Sequence, residues 1–365
     1  MEEDLRQLKN YYRQNFVRDI AVHISENYSK FKSDDFVSDV LNDDWASYEL
    51  KHRMQHISMN IYKYLPDDYE QVLDILWYIP DKLVGYEMSG FLLMCFPDIV
   101  EKYGMDDWEL SMKALAHFTK TSSSEFAVRP FILKNKDKML NQMIEWSYSD
   151  NYHVRRLSSE GCRPRLPWSF ALTDFKKDPT LIIPILENLK EDKSEYVRKS
   201  VANNLNDISK DNPDIVIDIA KKWYGNNKNT DRIVKHGCRT MLKKSMADVL
   251  DIFGYCKILP ASAAVGIPNV VKIGSDVDIN IDMSFDDIAV SNLRIEYAVY
   301  YPRKNGQLSK KIFQVSERGV IKPSISIVKR HSFKQMSTRT HYAGDCRIDL
   351  IINGQVCTFV DFKLI

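Results

Sequence analysis

A pattern of one valine flanked by basic residues recurs in the middle of the chain at intervals of about forty residues. It occurs in His153–Leu157, Tyr196–Ser200 and Ile233–Gly237, with a weaker copy at Ala127–Pro130. Repeats of paired helices with a period near 40 are typical of HEAT-type proteins, whose units bury their apolar faces only by stacking on one another. The pattern predicts an all-α HEAT-like repeat solenoid, in which each copy starts the second helix of its unit.

Beyond about residue 268 the helical spacing of apolar residues gives way to alternation. Apolar and polar residues alternate over 276–283 and 293–299, and again on both sides of Asn353-Gly354. Asn-Gly between two alternating segments is the strongest short signal for a β-hairpin. About 100 residues of short antiparallel strands predict an immunoglobulin-like β-sandwich.

A chain of 365 residues is too long for one ordinary hydrophobic core. We therefore expect a multidomain α + β protein. Its parts are a HEAT-like helical domain over 1–255, a linker over 256–268 and an immunoglobulin-like β-sandwich over 269–365. The linker is indicated by the short Pro, Ala and Ser stretch Leu259–Ala264.

The acidic start, Met1-Glu2-Glu3-Asp4, is unlike the basic and apolar start of a signal peptide. Apolar runs are too short to span a bilayer. The six cysteines form no CxxC pair and the histidines have no zinc-ligand spacing. We expect a cytoplasmic monomer with reduced thiols and without a membrane contact, a cofactor or a bound metal.

Charge is distributed unevenly although the net charge is only +1. Residues 1–120 hold 22 acidic and 13 basic side chains, whereas residues 121–260 hold 18 acidic and 24 basic ones. Such segregation lets a nearly neutral protein present a basic face to a polyanion, although chance clustering of solvated charge would give the same counts. We expect DNA contacts from Arg155, Arg156, Arg163, Arg165, Arg198, Lys199, Lys235, Lys329 and Arg330.

Basic residues also gather in the sandwich. Between 322 and 347 the Lys and Arg residues are Lys322, Lys329, Arg330, Lys334, Arg339 and Arg347, and the only acid is Asp345. Two interpretations remain open: a second DNA-binding wall that would make a clamp with the solenoid, or a solubilising surface.

A loop with two prolines, two arginines and a tryptophan follows the predicted helix that ends at Gly161. Because prolines restrict the loop, Arg163 and Arg165 suit phosphate contacts, and Trp168 suits stacking on a base or sugar. A buried core position is the alternative for Trp168, since tryptophan is heavily buried on average.

Three acids could carry chemistry, each with an alternative. Ser122 and Glu125 fit the S-x-x-E capping box. Glu160 has the spacing of an i,i+4 pair with Arg156. Asp207 lies near the end of a helix, where an acid opposes the macrodipole and has no stabilising role, and a plain exposed aspartate is the alternative.

These motifs resemble the AlkC-type DNA-3-methyladenine glycosylases, relatives of the AlkD-type HEAT-repeat glycosylases. The resemblance rests on Ser122–Phe131, Arg155–Trp168 and Val201–Ile208, with further matches in Lys329–Phe333 and Tyr342–Gly344. It covers residues from about 110 to the end and is loose before that. It implies that Glu125, Glu160, Asp207 and Trp168 form the catalytic site on the concave helical face.

The resemblance also implies a reaction. A 3-methyladenine base is already cationic and leaves without a general acid, so the site must stabilise an oxocarbenium-like sugar and position water. Carboxylates do both, and an indole face favours a cation. The family implies alkylated duplex DNA as partner, without flipping of the base into a pocket. The alternative is a non-catalytic HEAT-repeat scaffold that binds DNA or protein, and a third possibility is a purely structural solenoid.

Overall fold

The structure is a computed structural model that describes residues 7–286, 292–318, 323–335 and 340–365. The chain divides into two compact units. The first comprises residues 1–212 and 227–233, and the second comprises residues 213–226 and 234–365. Each helix in the described ranges is too short or too polar to cross a lipid bilayer.

The predicted order of a helical region followed by a β-sandwich is confirmed. The α-helices of the described residues are α1 Gln14–Asn27, α2 Ser33–Val40, α3 Leu50–Lys63, α4 Tyr69–Leu76, α5 Ile79–Lys82, α6 Ser89–Leu92, α7 Cys95–Tyr103, α8 Trp108–Phe118, α9 Val128–Lys134, α10 Lys136–Trp146, α11 Tyr152–Gly161, α12 Thr173–Lys177, α13 Ile183–Leu189, α14 Glu195–Ile208, α15 Pro213–Trp223, α16 Lys228–Gly237, α17 Arg239–Lys243 and α18 Ala247–Ile252. Short 3-10 helices lie at Leu8–Tyr11, Trp45–Ser47 and Pro179–Ile182.

Two copies of the repeated pattern stack as expected. Val154 and Val197 are each the third residue of their helices, α11 and α14, and both are buried. The hydroxyls of Ser159 and Ser200 are 2.7 Å apart, and Asn204 Nδ2 donates to the Ser159 carbonyl at 2.8 Å. Small polar residues therefore let the two helices approach closely along their length.

The third copy differs from the prediction. Val234 lies near the end of α16, because this helix begins earlier, at Lys228. Asn227 lies just before the helix, and its side-chain oxygen accepts the backbone N–H of Asn229 at 2.8 Å, as an N-terminal capping residue does. The pattern is thus a marker of a buried helix face, not always of a helix start.

The second unit contains the two sheets of the sandwich. Its strands are β1 Ser262–Gly266, β2 Val270–Val271, β3 Asp276–Ser284, β4 Leu293–Pro302, β5 Leu308–Arg318, β6 Ser324–Ser332, β7 Gly344–Ile352 and β8 Gln355–Leu364. One sheet has the order β1-β3-β6 and the other β2-β8-β7-β4-β5. The pairs are antiparallel except β2 with β8. Alternate residues such as Ile279, Ile281, Ile295 and Ile348 fill the core between them.

The first strand lies within the segment that we predicted as a linker. Ser262–Gly266 pairs with β3, and Val265 lies opposite Ile281. The Ala and Ser residues of this segment suggested a loop, but their small side chains also fit an edge strand, where backbone hydrogen bonding is sufficient.

The predicted Asn-Gly hairpin joins β7 to β8. Asn353 and Gly354 have positive φ angles of 45° and 81°, as a two-residue type I′ turn requires. Beyond the turn, Cys357 of β8 lies between the partners of Leu350 and Ile351, and this register shift leaves Val356 exposed, although simple alternation would bury it. A β-bulge of this kind cannot be read from alternation alone.

Candidate functional site

Six charged side chains of the first unit form a continuous series in which acids and bases alternate. We call this series the ion chain. Its members, in order of contact, are Glu125, Arg156, Glu160, Arg163, Asp207 and Lys210. It therefore contains all three acids that were predicted as catalytic, together with two of the predicted DNA-contacting arginines.

Arg156 joins the first two acids. Its Nη2 donates to Glu125 Oε2 at 2.8 Å and lies 3.5 Å from Glu160 Oε1. Glu125 lies in the segment before α9, whereas Arg156 and Glu160 lie one turn apart on α11. The i,i+4 pair considered for Glu160 thus exists, but it is one contact of a larger network.

Arg163 joins the second acid to the third. Its Nη1 donates to Glu160 Oε1 at 2.7 Å, and its Nε donates to Asp207 Oδ2 at 2.9 Å. Lys210 Nζ donates to Asp207 Oδ1 at 3.0 Å. One guanidinium in the loop after α11 therefore ties α11 to the last turn of α14.

The middle of the ion chain is buried. Glu160 is 5% exposed and Asp207 is 1% exposed. Burial opposes the charge of Arg163, but the carboxylates of Glu160 and Asp207 outweigh it and raise the pKa of Arg163. Arg156 behaves in the same way, with burial opposed by Glu160 and Glu125, so its pKa is also raised. The arginines are therefore permanent cations that hold the acids in place.

Two carboxylate oxygens keep free hydrogen-bonding capacity. Within the described part of the chain, Glu160 Oε2 and Glu125 Oε1 have no hydrogen-bond partner, whereas both oxygens of Asp207 are engaged. Glu125 and Glu160 can therefore accept a proton or a hydrogen bond from a bound molecule without breaking an existing contact.

The capping box considered for Glu125 is wrong. Helix α9 begins only at Val128 and has no side-chain cap, and the Ser122 hydroxyl donates to the Gly90 carbonyl instead. Glu125 Oε2 accepts from the Ser123 hydroxyl at 2.8 Å, in addition to Arg156. Its side chain thus belongs to the ion chain and does not cap a helix.

Arg129 fixes the loop that carries Arg163. Its guanidinium is fully buried and donates at 2.9 Å to the carbonyls of Gly161 and Arg163, and at 2.5 Å to that of Phe170. Burial lowers the pKa of Arg129 to about 10. We did not predict this residue, although an arginine within the apolar stretch Phe126–Ile132 was a signal that could have indicated it.

Trp168 is not a core residue, so that alternative is wrong. Its side chain is 56% exposed, and its φ of +61° is rare for a bulky residue. Such a backbone conformation costs about 1–3 kcal/mol and needs support from its surroundings. Lys51 Nζ donates to the Trp168 carbonyl at 3.1 Å, and the indole lies 5.8 Å from the Phe91 ring.

Tyr196 is an aromatic residue of the site that we did not predict. The guanidinium of Arg156 lies 4.6 Å from the centre of its ring, so the phenol covers one end of the ion chain. The Tyr196 ring is itself partly exposed and contacts the rings of Tyr152 and His153. Its position at the start of α14 gave no indication of this role, because the contact joins two different helices.

The other arginines predicted to contact DNA are committed to the scaffold to different degrees. Arg155 binds both oxygens of Asp192, and Arg165 binds both oxygens of Asp211. Arg198 uses one nitrogen for the carbonyls of Asp192 and Lys193, and Lys199 is exposed.

In the second unit, Lys235 is also committed. Its Nζ lies 2.5 Å from Glu317 Oε2 and 2.8 Å from the Tyr255 hydroxyl. Glu317 in turn contacts the buried Arg294. Lys235 therefore ties helix α16 to strand β5, which explains why a basic residue stands there.

The basic residues of strand β6 are more available. Lys329 is half-buried and Arg330 is exposed, with Arg330 Nη2 3.4 Å from Asp276 Oδ2. Lys334 contacts the same carboxylate at 3.0 Å. Two other residues of the predicted basic surface, Lys322 and Arg339, lie outside the described residues.

The part of the chain that the structure describes has no group of three or more His, Cys, Asp and Glu side chains able to hold a metal ion. The acids of the ion chain face arginine and lysine instead. This arrangement can hold three carboxylates at fixed positions, with the Tyr196 ring against the ion chain.

Comparisons with known proteins identify the family of the chain. Residues 104–242 match the profile of the DNA alkylation repair enzymes, and residues 262–365 match the C-terminal Ig-like domain of the uncharacterised protein YhaZ. YhaZ of Bacillus subtilis is 40% identical over 360 residues, which cover 98% of this chain and 99% of that protein.

A solved structure matches over the same length. The alkylpurine DNA glycosylase AlkC of Pseudomonas fluorescens, bound to DNA containing an abasic site analog, is 33% identical. The match has a TM-score of 0.92 and covers 98% of this chain and 99% of that one. This chain therefore belongs to the AlkC-type glycosylases of the DNA alkylation repair enzyme family.

Proposed function

We propose that this protein hydrolyses the N-glycosidic bond of cationic alkylated bases, such as 3-methyladenine, in duplex DNA. The observation that carries the proposal is the ion chain, in which Glu125, Glu160 and Asp207 meet although they come from three separate segments. We propose that it acts as a cytoplasmic monomer in base excision repair. The relative from Pseudomonas fluorescens, an alkylpurine DNA glycosylase described in complex with DNA, supports the glycosylase activity and the DNA partner.

The proposed reaction does not need a general acid to protonate the leaving base. A cationic base is already a good leaving group, so the barrier lies in the positive charge that develops on the sugar and in the approach of water. A carboxylate held beside the sugar stabilises that charge, and a second can orient the water. Acids of the ion chain can serve in both roles.

We assign the direct contacts to the acids with a free oxygen. Glu160 Oε2 and Glu125 Oε1 are available for the sugar and the water, because their other oxygens already bind arginine. Asp207 is held on both oxygens by Arg163 and Lys210. Lys210 is the more exposed of these two cations, so a DNA phosphate can draw it away and free Asp207 Oδ1 for the reaction.

The aromatic residues provide the surface for the damaged nucleotide. The exposed face of Trp168 can stack on the sugar or on the cationic base. Two cavities border this region: one is lined by Ser123 and Phe126 among others, and the second by Phe91 and Trp168. Both are too small to hold a nucleobase. A larger cavity of about 400 Å³, lined by Lys136, Phe170 and Asp174 among others, contains none of the three acids. The cavities beside Glu125 and Trp168 thus support catalysis on a base that stays near the helix stack, without flipping.

Phosphate contacts are proposed for the cations with available donors. These are Arg198, Lys199, Lys329 and Arg330, of which the last two would form a second DNA contact in the sandwich. Arg156 and Arg163 contribute positive charge from within the ion chain, where it offsets the repulsion between the acids and the DNA backbone. We assign Arg155, Arg165 and Lys235 to the scaffold, because carboxylates already occupy them.

The second candidate is a DNA-binding scaffold without catalytic activity. Such a protein would need the cations but would gain nothing from burying Glu160 and Asp207, since buried ion pairs rarely add stability. The retention of the acids therefore favours an enzyme.

The test is release of free base from duplex DNA under single-turnover conditions. We expect release of 3-methyladenine, and no release of uracil or hypoxanthine, whose departure requires protonation by a group that this site lacks. Undamaged duplex is the control. Tight binding of alkylated DNA with no release of 3-methyladenine would indicate the scaffold, and efficient release of uracil would contradict the proposed mechanism.

A further inference from the structure

One lysine of the N-terminal helices contacts two segments of the site. Lys51 lies near the start of α3, and its Nζ donates to the Trp168 carbonyl at 3.1 Å. The same ammonium lies 4.6 Å from the centre of the Phe126 ring. Phe126 directly follows Glu125, so Lys51 lies between the segment that carries an acid of the ion chain and the loop that carries the indole.

Lys51 is not part of an ordinary ion pair. Among the described residues no carboxylate lies within ion-pair distance of its ammonium, and the side chain is only half-buried. The nearby carboxyls on α7, Asp98 and Glu101, feel its charge, which opposes the effect of burial on their pKa values. Its direct partners are thus a backbone carbonyl and an aromatic face, and both contacts are lost if the ammonium is removed.

Trp168 needs such a contact. Its positive φ is unfavourable for a bulky side chain, and its indole is largely exposed, so packing alone holds it weakly. Arg129 fixes the loop at Arg163 and Phe170, on either side of Trp168. Lys51 holds the residue between these two points.

We propose that Lys51 is a positioning residue that fixes the Trp168 backbone against the segment of Glu125, and so holds the indole over the reacting nucleotide. This inference rests on the catalytic role proposed for Trp168. It makes the N-terminal helices, which lie before the part of the chain that matches the DNA alkylation repair profile, a contributor to the site.

The test combines a double-mutant cycle with a direct probe of the indole. We compare Lys51→Met, Trp168→Phe and the double variant in single-turnover release of 3-methyladenine. Lys51→Met should slow release about 10-fold, less than the roughly 100-fold that a misplacement of about 1 Å can cost. Affinity for DNA with an abasic site analog should change less than about 2-fold, because no phosphate contact is removed. The double variant should be no slower than Trp168→Phe, since Lys51 acts through Trp168.

The direct probe does not depend on activity. In protein labelled with 5-fluorotryptophan, the fluorine resonance assigned through Trp168→Phe should shift or broaden in Lys51→Met, while the other resonances stay in place. Lys51→Arg should restore the resonance and the rate, because a guanidinium can also donate to the carbonyl. Lys113→Met is the matched control, since Lys113 also contacts an aromatic ring, that of Trp77, but lies on α8.

An unchanged Trp168 resonance in Lys51→Met, or rate losses that multiply in the double variant, would overturn the inference. A wild-type rate in Trp168→Phe would instead count against the catalytic role of the indole. In that case the fluorine resonance alone still decides whether Lys51 holds the residue. A similar shift of the Trp168 resonance in Lys113→Met would show that the effect is not specific to Lys51.

Discussion

The first unit and the sandwich both carry many basic residues, but they use them differently. In the ion chain three cations match three carboxylates, and Arg155 and Arg165 are each neutralised by one aspartate. At the edge of the sandwich, Arg330 and Lys334 share the single carboxylate of Asp276, and the Arg330 side chain is 76% exposed.

The difference shows that a count of basic residues does not identify a DNA-binding surface. A buried arginine that binds carboxylates fixes the positions of those carboxylates, because its hydrogen bonds are directional. An exposed cation with a shared or absent partner is available for phosphate. We therefore propose that the two regions have two tasks, chemistry on the nucleotide for the ion chain and attachment to the DNA backbone for the basic residues of the sandwich.

The largest expected effect is on stability. Arg163→Met leaves Glu160 and Asp207 buried with fewer partners, so the unfolding free energy should fall by about 3–5 kcal/mol. The matched variant Arg330→Met removes an exposed cation and should change the unfolding free energy by less than about 0.5 kcal/mol. Denaturant unfolding followed by circular dichroism measures both. Equal effects in the two variants would remove the distinction between the regions.

A second comparison uses pH and two acids. Burial, followed by the charge of Asp98, raises the pKa of Glu101 to about 7, against an ordinary value of 4.5. Between pH 4.5 and about 7 the folded state holds a proton on Glu101 that the unfolded state has lost. The unfolding free energy should therefore fall as the pH rises through this range. The slope for one proton is about 1.4 kcal/mol per pH unit at most. Glu101→Gln should flatten this part of the profile.

Asp276 in the sandwich should act in the opposite direction. Hydrogen bonds from Ser332 and Lys334 lower its pKa to about 2, so its contribution is present above pH 3.8 and is lost as pH falls towards 2. Asp276→Asn should therefore change the dependence of the unfolding free energy on pH only below about pH 3.8. A stability profile between pH 4.5 and 7 that is the same in wild type and Glu101→Gln would contradict the assignment for the first unit.

The smallest expected effect concerns salt. Arg330→Ala should lower the slope of log K for duplex DNA against log salt by about one, because it removes one of the proposed phosphate contacts. Arg165→Ala should leave the slope nearly unchanged, since Asp211 already neutralises this arginine. Fluorescence anisotropy over a salt series measures both slopes. The reverse order of effects would place the backbone contact in the first unit and leave the sandwich as a solubilising domain.

The fold was largely predictable because periodicity is a local property. The change from helical spacing to alternation gave the order of the two regions, and Asn353-Gly354 gave the last hairpin. Details that depend on a single local event were not predictable. The bulge at Leu350/Ile351 and the early start of α16 are examples.

The site was predictable only in part. The acids could be named from their motifs, but the arginines between them suggested phosphate contacts, because sequence shows charge and not its partner. Ser122-x-x-Glu125 is a valid local capping pattern that Arg156 overrides through a tertiary contact. Lys51 and Trp168 are 117 residues apart, and no local pattern relates them.

The central claim is that the acids of the ion chain carry the chemistry, and Glu160→Gln tests it most directly. The substitution keeps the shape of a side chain with a free oxygen but removes its charge. We predict that single-turnover release of 3-methyladenine from duplex DNA falls about 100- to 1000-fold. Affinity for the same DNA should hold or increase, because a negative charge near the phosphates is gone. Release at the wild-type rate by a folded Glu160→Gln protein would contradict the account.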